Sequence, residues 1–112
     1  MKRLELVISM KALLENARAV RGRVPENVKI CAVVKADAYG HGAAELSRAL
    51  ESERLADAFA VATPEEGRAL REAGVKGEIL VLGLTDADGA EESVAFALSQ
   101  AVDDASGLAM LE

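Results

Sequence analysis

V-K-I-C-A-V-V-K-A-D-A-Y-G-H-G, Val28 to Gly42, is the stretch on which the reading of the chain turns. It opens with a largely apolar run, Val28 to Val34, rich in branched side chains. A run of that length reads as a strand buried on both faces, as in a parallel sheet. Lys35 stands where the run stops. Gly40 and Gly42 follow, and an Ala/Leu-rich helical pattern begins after them. The order is strand, lysine, glycine-punctuated turn, helix, and in parallel α/β folds chemistry gathers in such loops at the carboxyl ends of strands. Alternation along the strand puts Cys31, Val33 and Lys35 on one face and Ile30, Ala32 and Val34 on the other. A functional Lys35 requires its face to open onto the site.

On the N-terminal side, Leu4 to Ile8 reads as a short leading strand. Ser9 can cap the helix that follows, whose apolar stripe is Met10, Leu13, Leu14, Ala17 and Val20. Gly22 is the expected stop, and Pro25 prevents the helix from resuming. On the C-terminal side, Ala43, Leu46, Ala49 and Leu50 mark a second helix with a charged tail, Glu51 to Arg54. Asp57 to Ala62 is a short strand. Thr63-Pro64-Glu65-Glu66 is a capping box with proline at the first helical position. That helix should run to Ala73 and end at Gly74. Ile79 to Leu82 is the next strand, and Asp88 to Glu91 offers a second capping box, with Asp88 as cap, ahead of a helix around Ala90 to Leu98. Ser99 to Val102 is a further candidate strand, and Gly107 to Glu112 reads as the first turn of another helix.

This β–α alternation with short connections predicts an α/β fold with a parallel sheet and right-handed crossovers. The pattern alone allows either an open sheet or a piece of a barrel. With 112 residues and 51% of them hydrophobic, the chain can build one small core. One Tyr, two Phe and no Trp suit helices packed on a sheet of small aliphatic residues. A net charge of −6 argues against nucleic acid or an anionic membrane as the main partner. No apolar run approaches the roughly 20 residues that span a bilayer, and Met1 to Ile8 shows no secretory pattern. The single cysteine, Cys31, has no internal partner and fits a reducing compartment, so the expected location is cytoplasmic.

Among candidate site residues, Lys35 suits covalent catalysis. A lysine amine attacks an aldehyde only when neutral, and burial at a strand end would favour that form. His41 is the only histidine, and with no second His or clustered Cys a metal site is not expected. It is expected to help position the start of a helix. Asp37 could orient the loop by hydrogen bonding or serve simply as a turn residue, and Cys31 reads as a small buried hydrophobe.

The eleven residues Ala32 to Gly42, A-V-V-K-A-D-A-Y-G-H-G, closely resemble the signature around the cofactor lysine of the alanine racemases, the fold-type III enzymes that use pyridoxal 5'-phosphate. A-F-A-V-A-T-P-E-E-G-R-A-L-R-E-A-G, Ala58 to Gly74, and E-I-L-V-L-G, Glu78 to Gly83, resemble the next two βα units of that family. Pyridoxal phosphate homeostasis proteins, a related barrel family, lack the A-D-A-Y-G-H-G continuation. The resemblance implies a (β/α)8 barrel of TIM type. A full barrel needs about 200 residues or more, so residues 1–112 would be the N-terminal part of the barrel domain, three to four βα units, without the rest of the barrel and the β domain. It implies interconversion of L- and D-alanine, which supplies D-alanine for the cell wall. Lys35 would be the Schiff-base lysine and one of two catalytic bases. Tyr39 would bind the cofactor phosphate through its hydroxyl, and Leu82 and Gly83 would shape the pocket. The family's second base is a tyrosine of the partner subunit in a homodimer, and its pyridine-pairing arginine lies beyond this stretch. Those groups have no counterpart here. The isolated chain is therefore expected to be inactive and to self-associate. The alternative is a non-catalytic half-barrel that binds cofactor weakly or only self-assembles.

Overall fold

In the computed structural model of the protein, residues 9–112 are described. The expected strand Leu4 to Ile8 lies outside them. The elements are α1 (Met10–Arg23), β1 (Cys31–Val33), α2 (Lys35–Tyr39), α3 (Ala43–Ser52), β2 (Ala58–Val61), α4 (Pro64–Glu72), β3 (Glu78–Val81), α5 (Ala87–Ala95), β4 (Ser99–Gln100) and α6 (Ala105–Met110).

The four strands form one parallel sheet in the order β1-β2-β3-β4. This order resolves the two alternatives left open by the pattern. Every crossover steps one strand in the same direction, and right-handed crossovers of that kind put all the helices on one face. The contacts α1 with α3, α3 with α4 and α4 with α5 follow from that arrangement. A doubly wound open sheet would reverse its strand order at a switch point. The sheet is instead an arc of a (β/α)8-type barrel.

Register shows what each face of the arc does. Ala32, Phe59 and Ile79 are aligned partners, so they share a face with Val34, Val61 and Val81. Phe59, Val61, Ile79 and Val81 are fully buried there, joined by Val34, Leu70 and Val75. The other face carries the aligned rows Cys31, Ala58, Glu78 and Val33, Ala60, Leu80, Ser99. Cys31, Val33 and Glu78 on it are exposed. β1 is therefore not buried on both faces, and Cys31 is not a buried hydrophobe. The reason is position: among the described residues β1 is an edge strand with one neighbour, and no layer covers the concave face.

β1 is also shorter than the apolar run. The Arg21 guanidinium donates to the carbonyls of Pro25 (2.8 Å) and Val28 (2.7 Å), which holds the start of the run as a loop. The Ile30 N–H donates to an Asp57 carboxylate oxygen at 2.8 Å rather than to a strand. At the same end of the sheet, Arg71 donates to the carbonyls of Phe96, Val75, Gly77 and Ala97. Glu51 accepts from the N–H groups of Lys76 and Gly77. These four side chains tie down the turns opposite the candidate site.

Helix starts follow local chemistry. The Ser9 hydroxyl accepts from Ala12 N–H at 3.2 Å, and the Thr63–Glu66 capping box is complete. Gly22 does not stop α1, which runs on to Arg23, because a glycine inside a helix costs only about 1 kcal/mol. The cap of α5 is Asp86, whose side chain accepts from Gly89 N–H at 2.9 Å, and not Asp88, which falls in the first turn. Extended backbone at Asp86 leaves its carboxylate free to turn onto the helix. Asp104 caps α6 in the same way, so that helix starts at Ala105, ahead of Gly107. α5 ends at Ala95, short of Leu98, where Ala97 takes a positive φ of 54°.

Candidate active site

The sheet ladder continues one bond past β1, where Val34 N–H donates to the Ala60 carbonyl at 2.8 Å. There the extended backbone ends: Val34 has φ −120° and ψ 21°. Lys35 opens α2, and α2 is left-handed. Ala36, Asp37, Ala38 and Tyr39 all have φ between 53° and 57°, and Gly40 follows at 89°. A left-handed conformation costs an L-residue roughly 1–2 kcal/mol, so four in succession persist only where the surroundings over-determine them. The strand alternation that groups Lys35 with Cys31 and Val33 thus ends at Val34, and the turn sets the direction of the lysine.

Several hydrogen bonds hold the turn. Ala38 N–H donates to the Val34 carbonyl at 2.8 Å, and Gly42 N–H to the Asp37 carbonyl at 2.9 Å. The Asp37 carboxylate accepts from Ala43 N–H at 2.8 Å, which fastens the start of α3 to the turn. His41 Nδ1–H donates to the Ala38 carbonyl at 2.8 Å, so His41 pins the turn itself rather than the helix. Ala38 is buried in the core and is the turn's apolar anchor. Gly40 and Gly42, at φ 89° and 91°, complete the reversal into α3 in conformations that suit glycine. A Cβ at either would meet no atom within 4 Å, so this backbone is open to approach.

Lys35 is half-buried, less than the desolvation expected of a buried strand end. It takes part in none of the four salt bridges among the described residues. Among these residues its amine is not committed to a carboxylate. Tyr39 closes the same turn, is 63% exposed, and its hydroxyl has no hydrogen-bond partner among the described residues. Lys35 opens this turn and Tyr39 closes it, four positions apart at the end of β1. An amine and a phenol in that arrangement, beside an open glycine backbone, can grip an aldehyde at one end and a phosphate at the other.

The rim continues at the ends of the other strands. Leu82 N–H donates to the Val61 carbonyl at 2.8 Å, and Gly83 N–H to the Ala62 carbonyl at 3.2 Å. Leu82 is 44% exposed on this rim. A Cβ on Gly83 would lie 2.5 Å from the Ala62 carbonyl oxygen, so only glycine lets the two strand ends approach.

Two residues act here that the sequence reading passed over or read only locally. Gln100, at the end of β4, donates to the carbonyls of Gly83 (2.7 Å) and Ala101 (2.9 Å) and accepts from the Ser93 hydroxyl. No spacing signal marks it, because Gly83 and Ser93 reach it only through the fold. Glu66 was legible as the third residue of a capping box. Its second oxygen accepts from Ala36 N–H, thirty positions away, at 2.7 Å.

Cys31 lies on the concave face, a register partner of Ala58, which is in turn paired with Glu78. Partial burial of the thiol, and secondarily the Glu78 carboxylate, push it above its ordinary value. Among the described residues no group of His, Cys, Asp and Glu is arranged to hold a metal. No described helix is long and apolar enough to cross a membrane.

Comparison with known proteins gives a consistent result. The family profile "Alanine racemase, N-terminal domain" matches residues 8–112. Alanine racemase 1 of Caldanaerobacter subterraneus subsp. tengcongensis is 43% identical over 97 residues, covering 87% of this chain and 25% of that protein. Alanine racemase 2 of Bacillus subtilis is 46% identical over 90 residues, covering 80% and 22%. Among solved structures, alanine racemase from E. faecalis superposes with a TM-score of 0.85 at 36% identity, over 93% of this chain and 28% of that one. The chain thus spans about a quarter of the length of the relatives it matches.

Proposed function

The chain belongs to the alanine racemase N-terminal domain family, and from that premise we propose that it supplies the lysine-bearing part of a pyridoxal 5'-phosphate-dependent amino-acid racemase acting on alanine. Residues 1–112 are then the N-terminal part of the barrel domain. The observation that carries the reading is the left-handed turn at the end of β1, which begins at Lys35 and closes at Tyr39, two side chains with no salt bridge or side-chain hydrogen bond among the described residues.

The residues fit the cofactor. Lys35 would bind it through its amine, the Tyr39 hydroxyl would donate to its phosphate, and the open backbone at Gly40 and Gly42 leaves room for close approach. The bound cofactor would supply an electron sink for the charge left when the α-proton of the substrate departs. Lys35 would then remove or return that proton on one face. Inversion requires a second base on the opposite face, which we assign to the remainder of the full-length homodimer. A cytoplasmic location accords with this reading and with the single cysteine.

Borohydride reduction in the presence of pyridoxal phosphate, followed by peptide mapping, tests the role of Lys35. The label should fall on Lys35. Labelling spread evenly over Lys2, Lys11, Lys29 and Lys76 would overturn it.

The exposed concave face favours a second statement about the 112-residue chain by itself, that it is a half-barrel without turnover. Assistance by one general acid or base is worth about 10²–10⁴-fold. Conversion of L-alanine to D-alanine should therefore stay far below the roughly 1 s⁻¹ of ordinary enzymes. Conversion at that rate would show that the chain holds a base other than Lys35.

A further inference from the structure

The Glu66 carboxylate is shared between two elements that meet at the rim. One oxygen, Oε1, accepts from Ala62 N–H at 2.7 Å and from Thr63 N–H at 3.2 Å, which completes the cap of α4 and ties off β2. The other, Oε2, accepts from Ala36 N–H at 2.7 Å. Capping does not need this second bond.

Ala36 needs it, however. The ladder between β1 and β2 ends with Val34, and the chain then enters the left-handed turn. The N–H of a residue at the start of a turn has no partner within that turn. Among the described residues, Glu66 gives the turn its only hydrogen bond from a side chain outside residues 34–43. Packing holds one side of the turn, where Val34 and Ala38 are buried in the core, and a half-open apolar pocket of about 170 Å³ lined by Val34, Asp37, Ala43, Val61, Glu66 and Leu70 lies beside it. The strained conformation therefore depends on polar anchors as well, and the anchor at its first peptide is a carboxylate fixed in a helix cap.

We infer that Glu66 is a positioning residue for Lys35: it clamps the peptide directly after the lysine to the end of β2 and the start of α4, and so sets the direction in which the amine leaves the turn. The consequence for Lys35 rests on the function proposed above. The clamp itself does not.

Two measurements on the 112-residue chain separate these parts. The first is backbone hydrogen exchange over residues 35–40 without cofactor, in Glu66→Gln, Glu66→Asp and Thr63→Ala. An amide cannot accept from both sides as a carboxylate does, and aspartate is one methylene too short to span both. Loss of a hydrogen bond to a charged acceptor should speed exchange in this segment about tenfold or more in both Glu66 variants. Thr63→Ala weakens the same helix cap without touching the clamp and should leave the segment unchanged. Equal acceleration in Thr63→Ala and Glu66→Gln, or none in either Glu66 variant, would reduce Glu66 to a helix cap and overturn the inference. The second is the share of reductive pyridoxyl label on Lys35, expected to fall several-fold in Glu66→Gln while labelling of Lys11 and Lys29 holds. If exchange accelerates as stated but Lys35 takes no preferential label in the unaltered chain, the clamp stands and the role of Lys35 fails. If Lys35 is labelled preferentially and equally with and without the clamp, the inference that Glu66 aims the lysine is overturned and the function is not.

Discussion

Replacing Ala36 by glycine should stabilise the chain, although the same substitution in an ordinary helix weakens it. Ala36 sits at φ 53° and ψ 46°, where an L-residue is strained by roughly 1–2 kcal/mol and glycine is not. Against this, glycine gives the unfolded chain more freedom, worth about 0.4–1 kcal/mol. The methyl of Ala36 is exposed, so its removal opens no cavity. The bond from Ala36 N–H to Glu66 uses the backbone and survives. The net gain should be about 0.5–1 kcal/mol from these two terms. Ala49→Gly, in the right-handed interior of α3, is the matched control and should cost about 0.5–1 kcal/mol. Urea denaturation followed by circular dichroism, at a concentration low enough to suppress association, reads both. The two midpoints should move in opposite directions at unchanged slope. If Ala36→Gly lowers the midpoint as much as Ala49→Gly does, the turn is not left-handed in solution, and the argument that it is held under strain fails.

Other expectations follow from single contacts. Gly83→Ala should destabilise by about 1–3 kcal/mol, since its Cβ would press on a backbone oxygen that cannot swing away; an unchanged denaturation midpoint would show that the rim relaxes freely. Arg71→Lys should cost about 2 kcal/mol by calorimetry, because an ammonium cannot reproduce the guanidinium fork that serves four carbonyls. The raised Cys31 thiol binds its proton more tightly in the fold than in the unfolded chain, so alkylation at pH 8 should be slower in the native state and its pH midpoint higher. Glu78→Gln should lower that midpoint only part of the way, because burial is the larger cause. Sedimentation should show mass rising with concentration, since among the described residues β1 and β4 each have one neighbour and Val33 is exposed on the concave face; a compact monomer at all concentrations would refute the open half-barrel.

Much of this was written in local spacing. Ser9 before α1 and Thr63 with Glu66 at α4 act over three residues, so their hydrogen bonds can be read as they stand in the chain. The alternation of strand-like and helix-like periods dictated a parallel α/β sheet, and the placement of Lys35 after the branched run located the candidate site. Before α5 local spacing misled: it pointed to Asp88, three residues ahead of Glu91, whereas the cap is Asp86. The choice lay with the backbone angle at which the chain leaves β3.

Tertiary structure decided the rest. The sense of the sheet, and with it the difference between an open sheet and a barrel arc, depends on which side each new strand joins. No single βα unit contains that information. Burial of β1 on one face rather than two depends on what lies beyond the edge of the sheet. The left-handed turn runs against the intrinsic preference of Ala36, Asp37, Ala38 and Tyr39, and it exists because distant groups hold it. The sequence alone determined which residues stand at the strand end, since order and period are properties of the chain. Only the fold decided their conformation, because the hydrogen bond from Ala36 to Glu66 joins positions thirty residues apart that meet only once β1 and β2 have paired.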